Sequence, residues 1–125
     1  MPLDPKDVTR LRDMLLWTRK AMFILGNRSY EELMANEEKR LALVRCVEVI
    51  GEAGHEVSLP TQRLLPQVPW HAMYGMRNRL IHDYGNTNYA VVYDVVMQDL
   101  PGLSSLLARF LQEHDGGSSG GNSGA

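Results

Sequence analysis

The chain has 125 residues, of which 44% are hydrophobic and 22% charged, and its formal net charge is −2 at pH 7. These values fit one globular domain with a single modest core, and they exclude a globally basic surface, so RNA binding would need a local cluster of cations. A single cysteine, no signal peptide and no apolar run near the ~20 residues of a membrane span predict a reducing, cytoplasmic setting without a membrane partner.

The first part of the chain predicts three helices, each preceded by a side chain that can cap it. The candidate caps are Asp4 or Asp7, Ser29 and Asn36. The helices should end at Leu25, near Met34 and near Val57. Apolar side chains follow the helical period along one face of the first helix: Val8, Leu11, Leu15, Thr18, Met22 and Leu25, widened by Met14 and Ala21.

The third helix is the candidate central helix, because apolar residues cover most of its circumference. These residues are Leu41, Leu43, Val44, Cys46, Val47, Val49, Ile50 and Ala53. The polar side chains form one stripe at helical spacing, namely Arg45, Glu48, Glu52 and Glu56. This stripe is either solvated surface or the lining of an interface or cleft. Gly51 and Gly54 weaken the helix but permit another backbone to approach closely.

The next part of the chain contains a connection and then the helix that carries the polar motif. Residues 59–68 are expected to form a connection with one helical turn at 61–65. Pro69 can open the next helix, because its missing N–H would be unpaired there in any case. That helix should run from Trp70 to about Tyr84, where a glycine follows that can close it.

A last helical region should begin after Thr87 or Asn88 and should kink or restart at Pro101. Its apolar residues are Leu103, Leu106, Leu107, Phe110 and Leu111. The sequence therefore predicts an all-α fold, an antiparallel bundle of four to five main helices, for residues 1–114. Residues 115–125 are rich in glycine and serine, have the composition of an added linker, and are expected to form a flexible tail.

The polar motif lies in P-W-H-A-M-Y-G-M-R-N-R-L-I-H-D-Y-G, near the C-terminal end of its helix. Asn78 and His82 are four residues apart and share a face, so the amide can orient the imidazole. Arg77 and His82 are five apart, about 140° around a helix of 3.6 residues per turn, so they cannot converge on one ligand in a straight helix. Either the helix ends or distorts between them, or a second copy of the chain supplies one of them.

The residue types suggest acid–base chemistry on a phosphate, since there is no serine or cysteine nucleophile and no set of metal ligands. An arginine fork matches phosphate oxygens, and a histidine transfers protons near neutral pH. RNA brings its own nucleophile, the 2′-hydroxyl, so this route needs no metal and no cofactor and leaves a cyclic phosphate and a 5′-hydroxyl. The structural alternative is that Arg77 and His82 merely complement the helix dipole and cap the helix.

The motif resembles a known family through the signature R-x4-H-x-Y, which falls on Arg77, His82 and Tyr84. It is similar to the HepT-like toxins of the HEPN ribonuclease superfamily. The likeness extends through R-C-V-E-V-I-G-E-A and V-V-M-Q-D-L-P, over roughly residues 5 to 112. The resemblance implies an all-α homodimer in which two copies of the motif face each other across a cleft.

The resemblance also implies roles for the motif residues in a metal-independent RNA endonuclease, the toxin of a toxin–antitoxin pair. Arg77 would bind or polarise the phosphate, His82 would act as general acid or base, and Asn78 would support them. Tyr84 matches the tyrosine that a nucleotidyltransferase antitoxin of the MNT type modifies with AMP. The bulky, anionic AMP would block an RNA phosphate by occupancy and by like-charge repulsion.

Two other functions stay open on the sequence. The first is a non-catalytic helical module that partners a nucleotidyltransferase and binds or presents a nucleotide, for which His82 would not be needed in any turnover. The second is a structural dimerisation domain in which the motif serves as a helix terminus, so that replacing Arg77 would cost stability alone.

Overall fold

The structure is a computed structural model that describes residues 2–114, apart from the side chain of Tyr84. Within this range the regular structure is helical and no residue lies in a strand. The α-helices are α1 (Pro5–Leu25), α2 (Tyr30–Met34), α3 (Glu37–His55), α4 (Leu59–Leu64), α5 (Trp70–His82), α6 (Tyr89–Asp94) and α7 (Leu100–His114). A 3₁₀ turn (Tyr84–Asn86) precedes α6, and a π-helical segment (Val95–Asp99) joins α6 to α7. The predicted tail at 115–125 lies outside the described residues.

The long helices pack as antiparallel neighbours. Helix α3 packs against α1 and α5, and α1 also packs against α7. Asp7, near the start of α1, bonds to the segment that follows the end of α3. An added Cβ on Gly51 of α3 would meet Arg77 of α5, whereas one on Gly54 would meet Trp70, so the two helices run in opposite directions. The predicted all-α architecture is therefore confirmed.

The core is one cluster of apolar side chains contributed by the long helices and the connections between them. Its most buried large members, each less than 2% exposed, are Leu11, Met14, Leu25, Leu33, Leu43, Cys46, Val92 and Leu107. Burying a leucine of this kind contributes roughly 1.5–3 kcal/mol to stability. Burial also raises the pKa of the Cys46 thiol, which belongs to this core as predicted.

Two details of the predicted core differ from the structure. The buried face of α1 is centred on Leu11, Met14, Thr18, Ala21 and Leu25, while Val8, Leu15 and Met22 are only partly buried. Leu41, predicted as core, is 55% exposed. Its position explains this exposure, because it lies four residues before Arg45 and continues the polar stripe of α3.

Local capping sets the starts of four helices as predicted, because each cap accepts an otherwise unpaired backbone N–H group. The capping side chains are Asp4 for α1, Ser29 for α2, Asn36 for α3 and Asn88 for α6. Ser29 forms a reciprocal capping box with Glu32, in which the two bonds measure 3.1 and 2.8 Å.

Asp7 is not a cap but a buried tether between α1 and the start of α4. Its carboxylate accepts hydrogen bonds from the backbone N–H of Ser58 at 2.9 Å and from the hydroxyls of Ser58 and Thr61, each at 2.5 Å. Burial alone would raise the pKa of Asp7. The three hydrogen bonds more than offset that effect, so the pKa lies below its ordinary value.

Asp7→Asn is therefore expected to lower the free energy of unfolding at pH 7 by about 1–3 kcal/mol, because an amide cannot accept all three bonds. A carboxylate whose folded pKa is lowered stabilises the fold above its unfolded pKa, about 3.9, and loses that contribution as the pH falls through the folded value. The difference between variant and wild type should thus shrink in acid. Urea unfolding across this pH range measures it, with the partly exposed Asp13→Asn as control. If Asp7→Asn lowered the free energy of unfolding by the same amount at every pH, the stabilising role of the Asp7 carboxylate would be refuted.

The last helical region is continuous but irregular before Pro101. The backbone N–H of Leu100 bonds to the carbonyl of Val95, five residues back, which is the π-helical pattern. Pro101 has no N–H to donate to the preceding turn. The predicted disturbance at Pro101 thus takes the form of a π segment rather than a break, and α7 continues to His114. None of the helices within residues 2–114 has the length and apolarity to cross a membrane.

Candidate active site

The candidate site begins at the contact between α3 and α5. Gly51 lies where the two helices come closest: an added Cβ there would stand 2.7 Å from the carbonyl oxygen of Met73 and 2.7 Å from Cβ of Arg77. The absence of a side chain at Gly51 thus lets α5 lie directly on α3. This confirms the prediction that a glycine of α3 admits a second backbone, and it places Arg77 against the polar stripe of α3.

Arg77 is held by two neighbours, one on each terminal nitrogen. Its Nη2 forms an ion pair with Oε1 of Glu52 at 2.9 Å, and its Nη1 donates a hydrogen bond to Oδ1 of Asn78 at 2.8 Å. The Nε atom is buried and has no hydrogen-bond partner among the described residues. The Arg77 side chain is 25% exposed, so the guanidinium is oriented by the protein but still reaches solvent.

A polar cavity of about 270 Å³ surrounds this ion pair, between α1, α3 and α5. We call it the Arg77 groove. It is lined by Arg10, Asp13, Arg45, Glu48, Val49, Glu52, Ala53, Glu56, Arg77 and Ile81. The polar stripe of α3, which the sequence left open between surface and cleft, therefore lines a cleft. Its charged lining consists of three arginines and four carboxylates, so it offers cations without a net positive charge.

His82 does not share the groove with Arg77. It is the last residue of α5, and its side chain is exposed. Because α5 is α-helical without a break from Trp70 to His82, the two side chains point about 140° apart. Ile81 rather than His82 lines the groove. One chain therefore brings Arg77 together with Asn78 and Glu52 but leaves His82 on another side of the helix.

Asn78 has a different partner from the one its spacing suggested. Its side-chain oxygen accepts the hydrogen bond from Arg77, and the hydrogen bonds described for residues 2–114 include none between Asn78 and His82. The amide therefore orients the guanidinium and not the imidazole. Asn78 can bond to Arg77 because Glu52 already holds the other side of the guanidinium in place.

The motif helix ends earlier than predicted. Asp83 leaves the helical conformation, with φ −110° and ψ 34°, so His82 and not Tyr84 is the last helical residue. Gly85 lies in the following 3₁₀ turn and does not cap the helix by a left-handed conformation, since Gly26 alone has positive φ among the described residues. Tyr84 begins that turn. Its side chain lies outside the described part of the chain, so the modification by AMP stays a prediction.

Glu52 is the site residue whose role the sequence did not assign. It appeared as one carboxylate among several on α3, and its pairing with Arg77 depends on how two helices cross. The available signal was its position directly after Gly51, which marks the closest contact of α3 with another helix. Within the described residues no group of three or more histidine, cysteine, aspartate or glutamate side chains could hold a metal ion.

Comparison with known proteins identifies related ribonucleases. The family model for "Ribonuclease HepT-like" matches residues 8–110. "Putative RNase MJ1216" of Methanocaldococcus jannaschii is 29% identical over 106 residues, which cover 85% of this chain and 88% of that protein. "Putative RNase MJ0127" of the same organism is 32% identical, with coverage of 77% and 80%. "Probable ribonuclease HepT" of Thermococcus cleftensis is 34% identical, with coverage of 59% and 67%. No solved structure matches the chain significantly.

Proposed function

The chain belongs to the HepT-like ribonuclease family, and on this basis we propose that it is a metal-independent RNA endonuclease, the toxin of a toxin–antitoxin pair. The family match over residues 8–110 is the observation that carries the proposal, because it spans every helix that builds the Arg77 groove. The oriented guanidinium in that groove supports it further, since an arginine fork is suited to bind a phosphate.

In the proposed reaction the 2′-hydroxyl oxygen of one ribose forms a bond to the neighbouring phosphorus, and the bond from phosphorus to the 5′-oxygen breaks. His82 takes the proton from the 2′-hydroxyl or gives a proton to the leaving 5′-oxygen. Arg77 neutralises the charge that builds up on the non-bridging phosphate oxygens. The products are a 2′,3′-cyclic phosphate and a 5′-hydroxyl.

The contacts of Arg77 leave room for this role. Each terminal nitrogen of a guanidinium carries two N–H groups, and the ion pair with Glu52 and the hydrogen bond to Asn78 use one on each side. A phosphate oxygen can therefore bind to the remaining N–H groups while both neighbours keep the fork in place. Binding strengthens when water leaves the groove, because charged hydrogen bonds are stronger at low dielectric.

The site requires two copies of the chain in this proposal. Within one chain Arg77 and His82 lie on different sides of an unbroken helix, so a single RNA phosphate cannot contact both. A homodimer whose two α5 helices face each other would place His82 of one copy beside Arg77 of the other. Each of the two sites would then contain one His82 imidazole and one Arg77 guanidinium.

Regulation by a nucleotidyltransferase antitoxin of the MNT type is part of the proposal. Tyr84 opens the 3₁₀ turn directly after α5, close in sequence to His82 and on an exposed stretch of chain. Transfer of AMP to its hydroxyl would add a bulky anion two residues after the catalytic histidine in sequence. Like-charge repulsion and occupancy would then keep an RNA phosphate away from the site.

Cleavage of mixed RNA in EDTA tests the proposal, after intact mass has confirmed that the protein carries no AMP. Wild type should cleave and leave cyclic phosphate ends, and Arg77→Ala should cleave about 10²–10³ times more slowly, the usual effect of removing one donor to a developing anion. Arg79→Ala is the matched control, because this arginine is exposed on the same helix and does not line the Arg77 groove.

Each of three results would overturn part of this proposal. Cleavage that stops in EDTA and returns with a divalent cation would refute metal independence. No cleavage of a broad RNA set by unmodified wild type would instead favour the non-catalytic module that partners a nucleotidyltransferase. A variant Arg77→Ala that lost thermal stability with no change in cleavage would favour the structural dimerisation domain.

A further inference from the structure

A stacked pair of rings lies beside the Arg77 groove and has no part in the reaction described above. The rings of His55 and Tyr74 are parallel, with centroids 3.7 Å apart and planes 8° from each other. Tyr74 is half-buried on α5, whereas His55 is the last residue of α3 and is exposed. The pair thus forms a planar surface on a rigid support, with the imidazole on the solvent side.

This ring stack is joined to the proposed phosphate-binding cation. The guanidinium carbon of Arg77 lies 5.5 Å from the centroid of the Tyr74 ring, within cation–π distance. Proteins that bind single-stranded nucleic acid combine cations for the phosphates with aromatic platforms for the bases. Arg77 and the His55–Tyr74 stack place one of each next to the other.

The cavity that borders the stack offers space and a hydrogen-bond acceptor for a base. This open cavity of about 1060 Å³ is lined in part by Glu56, Gln62, Trp70 and His71, together with the two stacked residues. Glu56 lines both this cavity and the Arg77 groove, and its carboxylate can accept a hydrogen bond from the amino group of a base. The side-chain amide of Gln62 donates a hydrogen bond to the backbone carbonyl of Val57 at 3.0 Å, which holds two residues of the cavity lining together.

We propose that the His55–Tyr74 stack is a nucleobase-binding subsite, which holds a base of single-stranded RNA next to the phosphate bound by Arg77. The identity of the ligand as RNA rests on the proposed ribonuclease function. Stacking accepts every base because every base has a π-face, so the subsite raises affinity for single strands in general. A duplex, whose bases are stacked on each other, is not held in this way.

Binding of a short, fluorescein-labelled 2′-O-methyl RNA of mixed sequence tests the subsite without cleavage, because its 2′-oxygens cannot attack. His55→Ala should raise the Kd measured by fluorescence anisotropy roughly tenfold, the effect of losing one stacked base. His55→Phe keeps a planar ring and should bind nearly as wild type does. His114→Ala should change nothing: His114 is also the last residue of its helix and stacks on Phe110 at 4.1 Å, but it does not line this cavity.

Equal affinity of wild type and His55→Ala would overturn the subsite, as would a His55→Phe variant that binds as weakly as His55→Ala, or no binding by wild type. AMP serves as a second probe. If wild type bound AMP as tightly as the strand and His55→Ala lost both, the stack would be a site for a single nucleotide, and its role as part of an extended RNA site would be refuted. Binding of the strand that depends on His55, in a protein that cleaves no RNA, would support the subsite and refute the ribonuclease.

Discussion

His82→Ala is expected to lower the rate of RNA cleavage by roughly 10²–10⁴, the usual contribution of a general acid–base group. The KM for RNA should change much less, because proton transfer is an interaction of the transition state. The imidazole is exposed at the end of α5, so its removal leaves no cavity in the core and the melting temperature should stay the same. Cleavage rates in EDTA and thermal melts of the same preparations measure both effects.

The control for this variant is His114→Ala, which removes an exposed histidine from the last position of another helix. It should leave cleavage at the wild-type rate. If His82→Ala also cleaved at that rate, proton transfer by His82 would be refuted. The exposed imidazole would then serve only as a helix terminus, as in the structural alternative.

Gly51→Ala is expected to lower the free energy of unfolding and the rate of cleavage together. The new Cβ would stand 2.7 Å from the carbonyl oxygen of Met73 and 2.7 Å from Cβ of Arg77, so α5 would have to shift. Overpacking of this kind costs about 1–3 kcal/mol, which outweighs the gain of about 1 kcal/mol from replacing glycine by alanine within a helix. The shift would also misplace Arg77, and a misplacement of about 1 Å in an active site can cost 10²-fold in rate.

Gly54→Ala provides the matched control, one helical turn further along α3. Its Cβ would meet the flexible ends of Met73 and Met14, at 3.3 and 3.5 Å, and the edge of the Trp70 ring at 3.5 Å. The flexible methionine ends can move aside, so the gain in helix propensity should offset the cost of these contacts. The free energy of unfolding should then stay close to that of wild type. Chemical denaturation compares the two variants. A Gly51→Ala protein at least as stable as Gly54→Ala would refute the close contact between α3 and α5.

The helix starts could be predicted because capping is local chemistry. Ser29 and Asn36 each accept an N–H three residues along the chain, and this requires nothing from the rest of the fold. The end of α5 was predicted less well because it depends on where the backbone of Asp83 turns. Gly85 looked like the natural stop, yet the turn precedes it and uses no left-handed residue.

The partners of Asp7 and Glu52 could not be predicted, since they belong to segments distant in sequence. Asp7 looked like a cap from its position before an apolar run, but its carboxylate bonds to Ser58 and Thr61, more than fifty residues away. Glu52 was one carboxylate of a stripe that could be surface or cleft, and the structure pairs it with Arg77. In both cases the sequence placed the carboxylate on a helix, but its partner depended on which second segment packs against that helix.

The five-residue spacing of Arg77 and His82 gave the most useful prediction about the site. A separation of about 140° on a straight helix implies that a distortion or a second chain must bring them together. Helix α5 is not distorted between them, which excludes the first solution for the described chain. Cleavage should therefore occur where Arg77 of one copy meets His82 of another.

Mixed dimers test this claim most directly. Arg77→Ala and His82→Ala chains, each expected to cleave roughly 10² times more slowly than wild type or worse, are co-expressed with different affinity tags. The dimers that carry both tags are isolated by two successive purifications. These mixed dimers should recover a measurable part of the wild-type cleavage in EDTA, because intact Arg77 from one copy meets intact His82 from the other. Mixed dimers as inactive as either parent, or two chains that do not purify together, would contradict it.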